Sequence, residues 1–292
     1  MTSSKPSASF RAAADRCLTA VLVGAAAIAG GLVLWIVLFI ALESLPALLS
    51  IAPWRFATDA SWHPQDGLFK ITPMVVATLA ISVVAMCLAA PLGIATAMFS
   101  SFFAPSRIAG LLRRWIEILA GIPSVVYGLW GLTVLVPWIA AIQAPGLGLL
   151  AASLVLAIMI LPTVALTAEA ALRSVDKDLL RGAAALGLDR TGTALHVALP
   201  AAKNGIFAGL VLATARALGE TMAVLMVAGN VVQMPGSLFD SIRPLTANIA
   251  LEMGYATADH RSVLFASGLA LMLMVGLLVA LSTLSSPEPV DG

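Results

Sequence analysis

The chain has 292 residues, of which 60% are hydrophobic and 11% are charged, and its mean hydropathy is +1.01. These values exclude an ordinary soluble domain and indicate an all-α protein that crosses a membrane several times. The formal charge of +1 gives no reason to expect a nucleic-acid partner. The two cysteines and three histidines show no metal-ligand spacing, so we expect no metal site and no catalytic residues.

Three apolar runs in the first half of the chain are long enough to cross a bilayer, which takes about 20 residues. The first run, 18–42, is too long for the apolar part of a signal peptide and is interpreted as an uncleaved transmembrane helix after a segment at 1–17. A polar loop at 43–72 separates it from the second run, 73–103. A short basic loop at 104–114 then precedes the third run, 115–142.

Three more apolar runs complete the predicted transmembrane domain, which extends over 18–284. They lie at 149–167, 204–230 and 263–284. The loop between the first two of these, 168–203, is long and basic, whereas the next loop, 233–262, is polar and contains a predicted short helix at 246–253. A Ser-, Pro- and acid-rich tail occupies 285–292. The pattern predicts six transmembrane helices.

The distribution of lysine and arginine predicts the orientation of these helices. Eleven of the 16 fall in the N-terminal segment and in the loops 104–114 and 168–203, whereas four fall in the alternate loops. Because positive loops stay inside, both termini are predicted to be cytoplasmic and the loops 43–72 and 233–262 to face outward.

The fifth run carries two charges near its middle, Arg216 and Glu220, four residues apart and therefore on one face of a continuous helix. A charge there costs roughly 2.5 to 3.5 kcal/mol, so polar surroundings are required. The pair is either a structural ion pair or an anion site on a substrate path. Small residues at every fourth position, from Gly205 to Thr221, would let a neighbouring helix approach closely.

The basic loop contains a spacing that points to a partner. Gly187 is followed by nine residues, Val197, one residue and Leu199-Pro200. This spacing resembles the cytoplasmic EAA-type loop of binding-protein-dependent ABC importer permeases, although Arg181 and Gly182 occupy the family's Glu and first Ala positions. The resemblance implies docking onto an ATPase. Contact with anionic lipid would be enough to explain the positive charges of this loop, but it would not explain the spacing from Gly187 to Pro200.

A short helix is expected within this loop, with Asp176 as its N-cap and Gly187 as its terminating residue. Its apolar residues are expected to form one face, and the predicted coupling residues are Leu179, Leu180, Ala183, Leu186, Gly187 and Pro200.

Three further segments resemble phosphate-importer permeases, most closely the C-type subunit: GIPSVVYGLWGL at 121–132, RALGETMAVLMVAGN at 216–230 and SIRPLTANIALEMGYA at 241–256. The resemblance implies a type I ABC importer permease fold in the bacterial inner membrane. The implied substrate-path residues are Arg216, Glu220, Thr221 and Ser124. The implied partners are a second homologous permease subunit, a cytoplasmic ATPase dimer, an extracytoplasmic phosphate-binding protein and membrane lipid.

The chemistry of the fifth run is compatible with this resemblance. Arginine binds phosphate bidentately, and a carboxylate such as Glu220 can accept the proton of hydrogen phosphate, which sulfate lacks. The chain has no P-loop, so it is expected to bind no cofactor, and ATP would be used by the partner ATPase. Three alternatives remain. The chain could be a permease for phosphonate, sulfate or molybdate, a secondary anion transporter or, less favoured, a membrane-embedded enzyme.

Overall fold

The computed structural model describes residues 8–285, with side chains for residues 15–284. The predicted segment 1–17 falls partly outside these residues, and the predicted tail 285–292 falls almost wholly outside them. The described chain is helical apart from a hairpin of two-residue strands.

The elements of the first half are α1 (Ala8–Ser50), α2 (Arg55–Thr58), β1 (Trp62–His63), β2 (Leu68–Phe69), α3 (Thr72–Met98) with a π-helical end at Phe99–Phe103, α4 (Ser106–Gly121), α5 (Ser124–Trp130), a π-helical turn at Gly131–Leu135, and α6 (Val136–Ile142). The second half contains α7 (Leu149–Arg173), α8 (Lys177–Ala185), α9 (Arg190–Gly192), a π-helical turn at Thr193–Ala198, α10 (Leu199–Ala201), α11 (Lys203–Leu218), α12 (Met222–Val227), α13 (Leu245–Glu252) and α14 (Ala258–Ser285).

Five helical stretches of the described chain are individually long and apolar enough to cross a membrane. They are Asp15–Ser50, Thr72–Phe103, Ser124–Ile142, Leu149–Arg173 and Ala258–Leu284. A bent pair, Arg190–Ala201 and Lys203–Leu218, meets at 68° and supplies one more crossing when it is counted as a single span. The predicted six-span, all-α architecture is thereby confirmed.

The predicted boundaries of the first half are partly wrong. The first span does not end at 42, because α1 continues to Ser50 and its end packs into a cluster with Trp62 and Phe69. Most of the predicted basic loop at 104–114 instead belongs to α4, an amphipathic helix whose Ile116 is buried. Within α4, Arg113 forms an ion pair with Glu117, 2.9 Å away and one turn later.

A proline separates α4 from the third span. Pro123 lacks a backbone N–H, and the residue before a proline is disfavoured in the helical region. Ile122 accordingly adopts extended dihedrals, φ −68° and ψ 129°. The third span therefore begins at Ser124 and not at 115 as predicted, and the chain has a helix break within the run that looked continuous.

The centre of the bundle is formed by α3, α7 and α11, which approach closely because small residues line their contacts. A Cβ atom on Gly93 of α3 would overlap Val164 of α7, and a Cβ atom on Gly209 of α11 would overlap Thr167. The predicted small-residue ridge of the fifth run thus lies against α7. In lipid there is no hydrophobic driving force for helices to associate, so close packing of this kind holds them together.

At one end of the bundle, Asp59 ties α2 to the hairpin. Its carboxylate accepts a hydrogen bond from the Phe69 backbone N–H at 2.8 Å and two from Arg55 at 3.1 Å. The Phe69 hydrogen bond, helped by Arg55, holds the pKa of Asp59 below its ordinary value. The contribution of Asp59 to folding is therefore present above its unfolded pKa of about 3.9 and is lost as pH falls through the lower folded value.

The orientation of the helices can be tested by thiol labelling. In a variant lacking the exposed Cys17 and Cys87, single cysteines at Ser61 and Ser237 should react with an impermeant maleimide added outside intact cells, because positive residues hold the other end inside. A cysteine at the exposed Thr191 should react only after permeabilisation. The reverse labelling pattern would show that the orientation derived from charge is wrong.

Candidate functional site

The predicted fifth helix is broken at its charged centre. α11 ends at Leu218 and α12 begins at Met222, so 204–230 is not one continuous helix as predicted. Glycine is a poor helix former, and a threonine is stiff at χ1, which explains a break that contains Gly219 and Thr221. Instead of pairing with Arg216, the Glu220 carboxylate accepts a hydrogen bond from the Ala223 backbone N–H at 3.2 Å and caps α12.

Arg216 lies in the last turn of α11, just before the break, and its side chain is exposed on the isolated chain. Within residues 15–284 it makes neither an ion pair nor a hydrogen bond. It is close enough to the Tyr127 hydroxyl to interact with it electrostatically. Of the two interpretations of these charges, the structural Arg216–Glu220 ion pair is therefore not formed.

The helices that follow the Ile122–Pro123 break and the Gly219–Thr221 break pack against each other. A Cβ atom on Gly128 of α5 would lie 2.9 Å from the Ala223 Cα of α12, so the two helices are in close contact. Tyr127 bridges the first break by donating from its hydroxyl to the Leu119 carbonyl at 2.8 Å. The half-buried Ser124, at the start of α5, thus belongs to the level of Arg216 and Glu220.

The residues around the second break are polar but tightly held. Glu220 lines a small cavity together with Thr78 and Ser82 of α3 and Thr246 of α13. The Thr246 hydroxyl donates to the Glu220 carbonyl at 2.8 Å. The Thr221 hydroxyl makes a long hydrogen bond of 3.4 Å to the Gly219 carbonyl. Of the predicted path residues, Glu220 and Thr221 lie at the second break, Ser124 lies at the start of α5, which packs against α12, and Arg216 is exposed at the end of α11.

The predicted caps of the short helix in the basic loop 168–203 are confirmed. The Asp176 side chain accepts from the Asp178 N–H at 2.8 Å and starts α8. Gly187 follows the helix in the left-handed region, with φ +85°, and its N–H donates to the Ala184 carbonyl at 3.0 Å. This is the conformation in which glycine commonly ends a helix.

The four apolar residues predicted to form one face of α8 differ in burial. Ala183 is buried and Leu180 is half-buried at the edge of an apolar cluster, whereas Leu179 and Leu186 are 48% and 83% exposed. The helix contacts the turn at Thr193–Ala198, and part of its apolar surface stays open. Pro200 is also exposed, at the start of α10.

The partners within two buried polar clusters could not be predicted from local sequence. At the end of the bundle that carries α8, Glu169 pairs with Arg173 and accepts from Ser100 at 3.1 Å. At the opposite end, Glu252 pairs with Arg243 at 2.7 Å and also binds Trp62 and His260. The four residues of this second cluster line one cavity of about 590 Å³. Only the charge of Glu252, in an otherwise uncharged short helix, was visible in the sequence.

Comparison with solved structures defines the class of protein. The chain matches a chain in an inward-facing structure of the MetNI methionine ABC transporter with a TM-score of 0.60 and 20% identity, covering 76% of this chain and 96% of that one. It matches a chain of a bacterial alginate ABC transporter, in complex with a pentasaccharide-bound periplasmic protein, with a TM-score of 0.58 and 14% identity, covering 92% and 93%. The fold is that of a type I ABC importer permease.

The family follows from the sequence itself. The model of the binding-protein-dependent transport system inner membrane component matches residues 89–287, and the chain belongs to that family. It is therefore a multi-pass protein of the bacterial inner membrane and a transport subunit, not the ATPase.

Two curated relatives are similar over most of their length. The probable ABC transporter permease protein YqgH of Bacillus subtilis is 40% identical over 254 residues, which covers 84% of this chain and 82% of the relative. The phosphate transport system permease protein PstC of Mesorhizobium japonicum is 34% identical over 256 residues, covering 80% and 78%.

Proposed function

We propose that this permease subunit imports inorganic phosphate. The observation that carries the proposal is Arg216: an exposed arginine without an ion pair among residues 15–284, within an apolar run and next to a helix break. An intramembrane cation is expensive unless it faces a polar cavity or a ligand. Broken helices at membrane depth likewise occur where they line such a cavity.

Phosphate fits the residues of this level. The guanidinium of Arg216 offers a planar fork of donors to an oxyanion. One oxygen of Glu220 is used to cap α12, and the other makes no hydrogen bond within residues 15–284, so it can accept the proton of hydrogen phosphate. Ser124 and Thr221 supply further hydroxyl groups at the same level. Sulfate and molybdate carry no such proton at neutral pH and would be repelled by the carboxylate.

The exposure of the Arg216 side chain supports a substrate path between two permease subunits. Its guanidinium faces away from its own chain, so a second homologous subunit would close the space and complete the site. The relative named as a phosphate transport system permease supports the same substrate. An extracytoplasmic phosphate-binding protein would deliver the anion from outside, and lipid would cover the apolar surface that remains.

Coupling of transport to ATP hydrolysis is proposed for the end of the bundle that carries α8. The exposed Leu179 and Leu186 would insert into a cytoplasmic ATPase dimer, and Gly187 and Pro200 would set the direction of the chain around α8. Leu180 would transmit the movement, because it packs against a cluster that contains residues of α3 and α7, and Ala183, which is buried, would help to hold α8 in place. ATP would be bound and hydrolysed by that partner, with no cofactor held by this chain.

Transport by the assembled complex tests the proposal. Proteoliposomes that contain both permeases and the ATPase, with the binding protein outside and ATP inside, should accumulate labelled phosphate. Uptake should cease without ATP, and excess phosphonate, sulfate or molybdate should not compete. Phosphate uptake driven by an ion gradient in the absence of ATP would instead identify a secondary transporter, and ATP-driven uptake of one of the other oxyanions would reassign the substrate.

A further inference from the structure

The short helix α13 has a polar contact at each end, and both contacts are buried. At its start, Thr246 donates from Oγ1 to the Glu220 carbonyl at 2.8 Å, and the Leu245 N–H donates to Thr78 Oγ1 of α3 at 3.0 Å. At its last residue, Glu252 accepts three hydrogen bonds. Five of its eight residues are buried, so α13 is fixed within the bundle and does not lie on its surface.

The contact at the start of α13 satisfies a group that the helix break sets free. Within a continuous helix the Glu220 carbonyl would accept from a backbone N–H four residues later, but the break at Gly219–Thr221 removes that arrangement. A carbonyl at membrane depth needs another partner, because no bulk water is available there. Thr246 supplies the partner from a segment 26 residues away.

Holding this carbonyl also holds the acidic side chain of the same residue. The hydrogen bond fixes the peptide plane after Glu220, while the Ala223 N–H fixes one carboxylate oxygen. With both groups held, the second carboxylate oxygen has little freedom to move away from the level of Arg216. A side chain in a binding site is positioned well only when such supporting contacts restrict it.

The far end of α13 is anchored to two other elements. The Glu252 carboxylate accepts from Trp62 Nε1 of the hairpin at 2.9 Å and from His260 Nε2 of α14 at 2.8 Å. Arg243, just before α13, donates to the same carboxylate at 2.7 Å and from Nε to the Asn230 carbonyl at 2.8 Å. The chain on both sides of α13 is thus tied to the segment that follows α12.

We propose that Thr246 is a positioning residue for phosphate passage: it sets the location of Glu220 through the backbone, and Glu252 keeps α13 in the place from which Thr246 can do so. This inference rests on the proposed function, in which Glu220 contacts the anion. It adds a residue that does not touch phosphate, and it assigns the outer segment 241–256 a role in shaping the path.

Two substitutions at one position separate positioning from general stability. Thr246→Val keeps the shape of the side chain but removes the hydroxyl, and Thr246→Ser keeps the hydroxyl. In the proteoliposome assay, Thr246→Val should lower the amount of phosphate imported per ATP hydrolysed at least fivefold, whereas Thr246→Ser should restore it to within twofold of the unmodified complex. The amount of assembled complex should be unchanged in both.

A matched control removes a threonine hydroxyl that serves only its own helix. Thr96 of α3 donates to the Leu92 carbonyl one turn earlier, at 2.7 Å, and is exposed. Thr96→Val should leave the phosphate-to-ATP ratio unchanged. If Thr246→Val lowers uptake and ATP hydrolysis in parallel with the amount of complex, Thr246 is structural and the inference is overturned.

The same assay separates failure of this inference from failure of the proposed function. Arg216→Ala should lower phosphate uptake by the complex about a hundredfold. If it does and Thr246→Val retains a normal phosphate-to-ATP ratio, the path stands and the positioning role is overturned. If uptake survives Arg216→Ala, the proposed path itself is wrong and the positioning role falls with it.

Discussion

Arg216→Ala is expected to reduce phosphate uptake about a hundredfold, and Arg216→Lys about tenfold. Hydrogen bonds to charged groups contribute roughly 1.5–3 kcal/mol each, so losing one or two of them accounts for these factors. Lysine keeps the charge but loses the planar fork that binds two phosphate oxygens together. The measurement is the initial rate of labelled phosphate uptake, normalised to the amount of assembled complex.

An exposed arginine outside the path provides the control. Arg114 lies on α4 and is exposed, so Arg114→Lys should leave uptake within twofold of the unmodified complex. Glu220→Gln completes the set, because a glutamine oxygen can still cap α12 by accepting from Ala223 while the charge is removed. Normal uptake by both Arg216→Lys and Glu220→Gln would mean that the two charges are used for packing, and the site would have to lie elsewhere.

Gly187→Val should abolish the response of ATP hydrolysis to the phosphate-loaded binding protein. Gly187 has φ +85°, and a β-branched residue is strongly disfavoured there, at a cost of about 1–3 kcal/mol. A Cβ atom at this position meets nothing within 4 Å, so the cost comes from the backbone and not from a clash. The chain after α8 would change direction and displace Leu186, one of the two exposed leucines proposed to enter the ATPase.

Gly67 is a well-matched control for this substitution. It too has a left-handed conformation, φ +71°, and open space around its Cβ position, but it lies in the hairpin at the opposite end of the bundle. Gly67→Val should therefore strain the backbone to a similar extent without uncoupling the ATPase. ATP hydrolysis that still responds fully to the binding protein in the Gly187→Val complex would remove Gly187 from the proposed coupling surface. An equal loss of the response in both variants would attribute it to general destabilisation.

The six crossings could be predicted because the length and polarity of a membrane-spanning run are local properties. The break at Gly219–Thr221 could not, because apolar residues continue on both sides of it and hydropathy does not report backbone dihedrals. The low helix propensity of its glycine was the available signal. The helix α4 was missed for the opposite reason: its arginines suggested a loop, whereas its apolar residues recur with the helical period.

Residue types at the candidate site were easier to predict than their partners. The unusual charge of Arg216 and Glu220 is visible in an apolar run, but their separation in the structure depends on the break. The contacts of Glu252 were beyond local reasoning, because Trp62 lies 190 residues away and meets it only after the bundle has formed. Which apolar residues of α8 are buried was equally beyond local reasoning, because their burial depends on the turn at Thr193–Ala198 that packs against the helix.

The pairing of α1 with α14 has a consequence for biosynthesis. The most apolar window of α1 is not buried at all within the described chain, and α14 is its main neighbour, with Phe39 and Phe265 in an edge-to-face contact at 5.8 Å. The ribosome synthesises α1 well before its partner α14. The apolar surface of α1 can be solvated by lipid alone until α14 is inserted. The helix α1 therefore enters the membrane long before it can be incorporated into the finished bundle.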